Sequence, residues 1–192
     1  NSLCSWFLSV FISMNLRHVI SVSQFLNRDL LSELFSLADE MERGDQEKTL
    51  APTLRNKIMA TVFYEPSTRT RFSFECAMQK LGGSIITTEN AASFSSAAKG
   101  ESLQDSIRVI GGYADVIVLR HPEKGSSQVA SEVSSVPIIN AGDGAGEHPT
   151  QALLDLYTIK KELGTLENLK IAIVGDLLHG RTVHSLTHLL TL

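Results

Sequence analysis

The chain has 192 residues, 43% hydrophobic and 20% charged, with a formal net charge of -4. This is the composition of a folded chain with one good core or slightly more, and it lacks the basic footprint of a nucleic-acid binder. Two cysteines, Cys4 and Cys76, make no disulfide framework and suit a reducing compartment, so a cytoplasmic location is expected.

Residues 1–13 carry an apolar run (Trp6, Phe7, Leu8, Val10, Phe11, Ile12) with no basic segment before it. The run is too short to span a bilayer, so it reads as an atypical extension ahead of Met14, and no membrane partner is expected. Ser23 or Asn27 can then cap a helix with Leu30, Leu34, Leu37 and Met41 as its buried stripe and Gly44 as its end. A polar linker, residues 45–56, leads to an apolar strand over 57–63. A helix over 68–81 stops at Gly82 and Gly83, residues 84–88 form a further β segment, and 90–100 is a loop.

The next helix starts near residue 101 with Leu103, Ile107, Ile110 and Ala114 on its apolar face. A strand over 115–119 ends in Arg120, His121 and Pro122. A weaker helix at 126–134 and a short strand at 136–139 precede a glycine-rich loop, 141–146. Pro149 opens a helix whose inward face is Ala152, Leu156, Ile159 and Leu163. After a hinge at 164–168, the pattern predicts a buried strand over 169–174, a loop over 175–180 and a helix from Arg181.

Strands alternate with helices and lack polar alternation, which argues for an α/β fold: a parallel sheet flanked by helices on both faces. In such sheets ligands bind beyond the carboxyl ends of the strands. Four predicted strands run straight into polar groups: Ser67 to Arg69, Arg120, His148 to Gln151, and Asp176 to Arg181. Their convergence predicts one rim bearing several cations and an imidazole.

The turn at residues 67–71 carries unusual charge. Pro66 disfavours helical backbone at Glu65, making Ser67 the N-cap candidate, yet the first turn holds Arg69 and Arg71 where acidic residues are favoured. Arg71 has Glu75 at i+4. Arg69 lies about 200° away around the helix and faces Ser73, so its neutralising anion must come from outside, and a helix start suits phosphate. The bland alternative is an exposed helix start with surface arginines. His148 either caps its helix or polarises a carbonyl, with Gln151 on the same face. Arg120 either meets a ligand or makes a structural ion pair.

Taken together, Ser67-Thr-Arg-Thr-Arg71, Arg120-His-Pro122, Gly142-Asp-Gly144, His148-Pro-Thr-Gln151 and the Val174 to Ser185 stretch resemble the catalytic chains of the aspartate carbamoyltransferase family, from about Met14 onward. The first motif belongs to carbamoyltransferases generally. His-Pro-Thr-Gln, rather than the His-Pro-Cys-Gln of the ornithine enzymes, favours aspartate as acceptor.

The resemblance implies transfer of the carbamoyl group of carbamoyl phosphate to the amine of L-aspartate, giving N-carbamoyl-L-aspartate and phosphate in de novo pyrimidine biosynthesis, with no metal or organic cofactor. It implies a carbamoyl-phosphate-binding domain over residues 14–163 and, over 164–192, the start of a doubly wound α/β aspartate-binding domain. By motif, Ser67, Thr68, Arg69 and Thr70 hold the phosphate. Thr70, Arg120 and His148 contact the carbamoyl oxygen, and Gln151 the carbamoyl nitrogen. Arg181 holds a carboxylate of aspartate, while Ser95 and Lys99 reach a neighbouring subunit's site. A homotrimer with shared sites follows, with regulatory chains as further partners. Because the second domain is incomplete, the 192 residues alone are expected to be inactive, with the apolar helix 183–192 partly uncovered. Two alternatives stand: a carbamoyltransferase for another amine, and a non-catalytic phosphate-ligand-binding or oligomerisation module.

Other signals are weak. Residues 175–180 do not fit the G-x-G-x-x-G pattern. His184 and His188 are spaced i,i+4 but lack a third ligand, so no metal is expected. His18, His121 and His179 receive no role.

Overall fold

The structure, a computed structural model, describes residues 16–89, 91 and 100–192. Its strands are β1 (Ile58–Phe63), β2 (Ser84–Glu89), β3 (Val116–His121) and β4 (Ile138–Asp143). Its helices are α1 (Arg28–Glu47), α2 (Thr68–Lys80), α3 (Leu103–Ile110), α4 (Ser126–Val133), α5 (Pro149–Leu163) and α6 (Arg181–Leu189). The strands pair in parallel in the order β2-β1-β3-β4. Beyond β4, Val19 bridges to Ile139, its N–H donating to Ile138 O and its carbonyl accepting from Asn140 N, each at 2.8 Å.

The alternation of a strand sorts the core into two layers. Met59 and Phe63 pack with Met78 of α2 on one face, and Ala60 and Val62 pack with Ile107 of α3 and Ala130 of α4 on the other. Helices cover both faces, the expected fold class. A third cluster joins α1, α5 and α6 through Leu31, Phe35, Ala152, Leu156 and Leu189. No helix among the described residues is long and apolar enough to cross a membrane.

Several local expectations are corrected. Asn27 caps α1, its side chain accepting from Leu30 N, but the helix continues past Gly44 to Glu47 and ends on left-handed Lys48. Gly44 instead gives Leu50 room, because a Cβ there would stand 2.9 Å from Leu50 Cδ2. The buried stripe is turned by one residue: Leu31 and Phe35 are buried and Leu30 and Leu34 only partly. Contact of Phe35 with Tyr157 across α5, ring centroids 5.5 Å apart, accompanies that turn.

β4 starts two residues later than predicted and takes in Asn140 and Asp143. Both are polar and buried, and both find partners. Leu163, expected inside, is 60% exposed, because α5 ends there at left-handed Gly164. Residues 169–174 form no strand, and Val174 is 96% exposed. No described strand lies beside them, and β-propensity without a paired neighbour does not make a sheet. The helix expected to be partly uncovered is so: α6 buries Ser185 and Leu189 against the α1–α5 layer, while Val183, Leu186 and Leu190 stay partly exposed.

Candidate active site

The carboxyl end of β1 runs through Glu65 and Pro66 into α2. Ser67 occupies the N-cap position with φ -161° and ψ 82°, but its hydroxyl makes no capping bond. The expected cap is thus a matter of position only, and the side chain lines the cleft instead. Arg71 turns away from the cleft, its Nη1 3.2 Å from Glu89 and its Nε 3.9 Å from Glu75. Thr61 donates to the same Glu75 at 2.9 Å. Arg69, by contrast, is exposed, lines the cleft beside Thr68 and Thr70, and has no ion-pair or hydrogen-bond partner among the described residues. The two arginines divide as the helical angle between them requires.

Arg120 arrives at the end of β3. Its Nη2 is 2.8 Å from Glu65 Oε1, and its Nη1 donates to Ala141 O at 3.1 Å. Arg181, the first residue of α6, places Nη2 2.9 Å from the same Glu65 oxygen. Two guanidiniums therefore share one carboxylate, and with Arg69 the rim keeps an excess of positive charge. Burial lowers the Arg120 guanidinium from its ordinary value, Arg181 adds to that, and Glu65 opposes it. Gly142, at φ +115°, leaves space for both cations: a Cβ there would lie 2.7 Å from Arg181 Nη1 and 3.1 Å from Arg120 Nη1.

His148 is 6% exposed at the start of α5. It holds the N-cap position without a side-chain capping bond. Its backbone N–H donates to Ser185 Oγ at 3.0 Å, and Nδ1 lies 3.4 Å from Thr150 Oγ1. Nε2 is buried with no partner among the described residues. Burial first, then the charges of Arg120 and Arg181, push the imidazole down to about 4, so it is neutral near pH 7. Gln151 lines the same cleft while its amide donates to Asp155 at 2.9 Å.

The cleft encloses about 1170 Å³ and is lined by Ser67, Thr68, Arg69, Thr70, Arg120, His148, Gln151 and Arg181. Eight of the ten sequence-predicted site residues thus meet in one place; the other two, Ser95 and Lys99, lie outside the described residues. Arg181 reaches the cleft although the strand predicted before it does not form. Glu65 is the residue that sequence reasoning missed. Its signal was a carboxylate directly after an apolar strand, beside Pro66, on a rim predicted to bear several cations. Chemically, the cleft offers free guanidinium and helix N-terminal N–H groups for an anion, and a neutral imidazole beside a guanidinium for an oxygen gaining charge.

Residues 17–161 match the family model described as aspartate/ornithine carbamoyltransferase, carbamoyl-P binding domain. The chain is 55% identical over 175 residues to the chloroplastic aspartate carbamoyltransferase of Arabidopsis thaliana, covering 91% of this chain and 45% of that one. It is 57% identical over 177 residues to the aspartate carbamoyltransferase catalytic subunit of Methanocaldococcus jannaschii, covering 92% and 57%. The chain therefore spans about half the length of these relatives. The solved catalytic subunit of M. jannaschii aspartate transcarbamoylase superposes with a TM-score of 0.85 at 56% identity, over 92% of this chain and 57% of that one. Aspartate transcarbamoylase from Trypanosoma cruzi, solved with carbamoyl phosphate and aspartate, gives 0.86 at 45% identity over 91% and 57%. With its rim of arginines and a histidine at the strand ends, the chain belongs to the aspartate/ornithine carbamoyltransferase family, through the carbamoyl-P binding domain.

Proposed function

We propose that this chain is the carbamoyl-phosphate half of an aspartate carbamoyltransferase catalytic chain, acting in de novo pyrimidine biosynthesis. The observation that carries the reading is one cleft that holds both Arg69, without a partner among the described residues, and the neutral, buried His148. Ser67, Thr68, Arg69 and Thr70 take the phosphate at the start of α2. Arg120, His148 and Thr70 face the carbamoyl oxygen, and Gln151 faces the carbamoyl nitrogen. As the aspartate amine attacks the carbonyl carbon, the oxygen gains negative charge that Arg120 and His148 stabilise. As the C–O bond to phosphate breaks, the leaving group gains charge that Arg69 and the helix N-terminus stabilise. Holding both substrates in line contributes the rest. These residues supply that chemistry without calling on a metal or organic cofactor.

Residues 164–192 open the aspartate-binding domain, and Arg181 takes an aspartate carboxylate. Release of Arg181 from Glu65 would accompany that contact. The chain works as a homotrimer in which Ser95 and Lys99 complete a neighbouring site, in a reducing compartment such as the cytoplasm, and regulatory chains can join it. Alone, the 192 residues bind carbamoyl phosphate without turning it over. Aspartate transcarbamoylase of T. cruzi, solved with carbamoyl phosphate and aspartate, supports aspartate as acceptor.

The test supplies carbamoyl phosphate with aspartate, with ornithine or with no acceptor to the natural gene product and to the 192-residue chain. Carbamoyl-aspartate from the gene product alone is the expected result. Preference for ornithine would overturn the acceptor assignment, and turnover by the 192 residues would overturn their proposed inactivity.

A further inference from the structure

Asn140 stands in the middle of β4 with 0% exposure, a polar side chain among apolar neighbours. Its carboxamide is engaged at both ends. Oδ1 accepts from Gly142 N at 2.8 Å, and Nδ2 donates to Ile20 O at 2.9 Å. The first bond spans two residues and closes an Asx turn at the end of the strand.

The peptide unit between Ala141 and Gly142 is rigid and planar, so its C=O and N–H move together. Its carbonyl end accepts Arg120 Nη1 at 3.1 Å, while its N–H end is held by Asn140. Gly142, one atom further along, adopts φ +115° and leaves no room for a Cβ beneath Arg120 and Arg181. A rotation of this one peptide would remove the Arg120 acceptor and move the floor under both guanidiniums. Among the described residues no other side chain accepts from its N–H end.

We infer that Asn140 is a positioning residue for the cationic rim: it fixes the Ala141–Gly142 peptide, and through it the guanidinium of Arg120. Asn140 lies behind that peptide and reaches the ligand only through it. Its bond to Ile20 ties the same carboxamide to the segment that borders β4, so the orientation is set from the core side. The ligand readout rests on the carbamoyl-phosphate reading above, whereas the placement of Arg120 does not.

The test compares Asn140→Ala with Asn140→Ser in the 192-residue chain. A serine hydroxyl can accept from the N–H two residues on, though more weakly, and cannot reach Ile20. Two quantities are read: carbamoyl phosphate affinity by calorimetry, and the Arg120 Nε–H signal by NMR, assigned by its loss in Arg120→Lys. Thermal melting checks the fold. Alanine should weaken binding about tenfold and displace or broaden the Arg120 signal, because the peptide loses the side chain that holds its N–H end. Serine should stay within about threefold of the parent and keep the signal. An alanine variant that matches the parent in both, or a serine variant as damaged as alanine, overturns the inference. Should alanine fail to fold, serine decides alone: a parental Arg120 signal upholds the assignment and a displaced one overturns it. A parent that binds no carbamoyl phosphate defeats the functional reading instead, and the Arg120 signal still decides the role of Asn140.

Discussion

Glu65 Oε1 lies 2.8 Å from Arg120 Nη2, and the same oxygen is shared with Arg181 at 2.9 Å. Both guanidiniums are mostly buried, with side chains 15% and 21% exposed. The carboxylate is thus an internal counter-ion for cations that a ligand would otherwise neutralise, and it competes with that ligand. Glu65→Gln should bind inorganic phosphate more tightly than the parent, several-fold at low salt, and melt at a lower temperature. Calorimetry and a thermal melt read the two effects. Weaker phosphate binding would show that Glu65 orients the arginines more than it neutralises them.

Arg69 and Arg71 are two residues apart and should differ sharply on truncation. Arg69→Ala removes an exposed group with no described partner and should leave the melting temperature nearly unchanged. Arg71→Ala strands Glu75 and Glu89 beside a half-buried network and should destabilise by about 3 kcal/mol. Denaturant unfolding measures both. Equal losses would mean that the outward-facing arginine also has a structural task.

Gly142 tests the packing of the rim. Gly142→Ala places a side chain at φ +115° and 2.7 Å from Arg181 Nη1. The strained backbone should cost about 1–3 kcal/mol of stability. Phosphate binding should weaken alongside, since Arg181 and Arg120 must shift. A fully active-site-competent alanine variant with parental stability would refute the close approach.

His148 sets a sign for pH dependence. Its pKa in the folded chain is pushed down to about 4 from an ordinary 6.5, mainly by burial. Between those values the unfolded chain binds the proton and the folded chain does not. His148 therefore destabilises the fold as pH falls from about 6.5 to 4, by on the order of 3 kcal/mol, and contributes nothing to the slope above 6.5. His18 and His121, also lowered chiefly by burial, act with the same sign. Replacing His148 by Gln should flatten this part of the stability profile, as measured by denaturant unfolding at pH 7, 5.5 and 4.5. An unchanged slope would show that His148 takes up its proton as readily in the fold as in the unfolded chain.

Much of the site was legible because it rests on local rules. Pro66 marks the helix start, the angle between positions 69 and 71 sends one arginine inward and one outward, and strand ends bring Arg120 and His148 to the same rim. What stayed hidden depends on distant partners. Glu65 gains meaning only when Arg120 and Arg181 meet it in space. Asn140 lies just past the predicted strand end at 139, and its place in β4 depends on bonds to Ile20 and Gly142. Gly44 has the residue type of a helix stop, but Leu50 packs against it and the helix continues. The apolar run at 169–174 has strand propensity and no neighbouring strand to realise it.

In the proposed function the start of α2 receives the phosphate of carbamoyl phosphate through Arg69. Calorimetric titration of carbamoyl phosphate into the 192-residue chain and its Arg69→Ala variant, with inorganic phosphate as competitor, tests it most directly. The expected result is saturable binding by the parent, competition by phosphate, and a loss of about tenfold or more in the variant, the size of one charge-assisted bond or two. Equal affinity in parent and variant would contradict it.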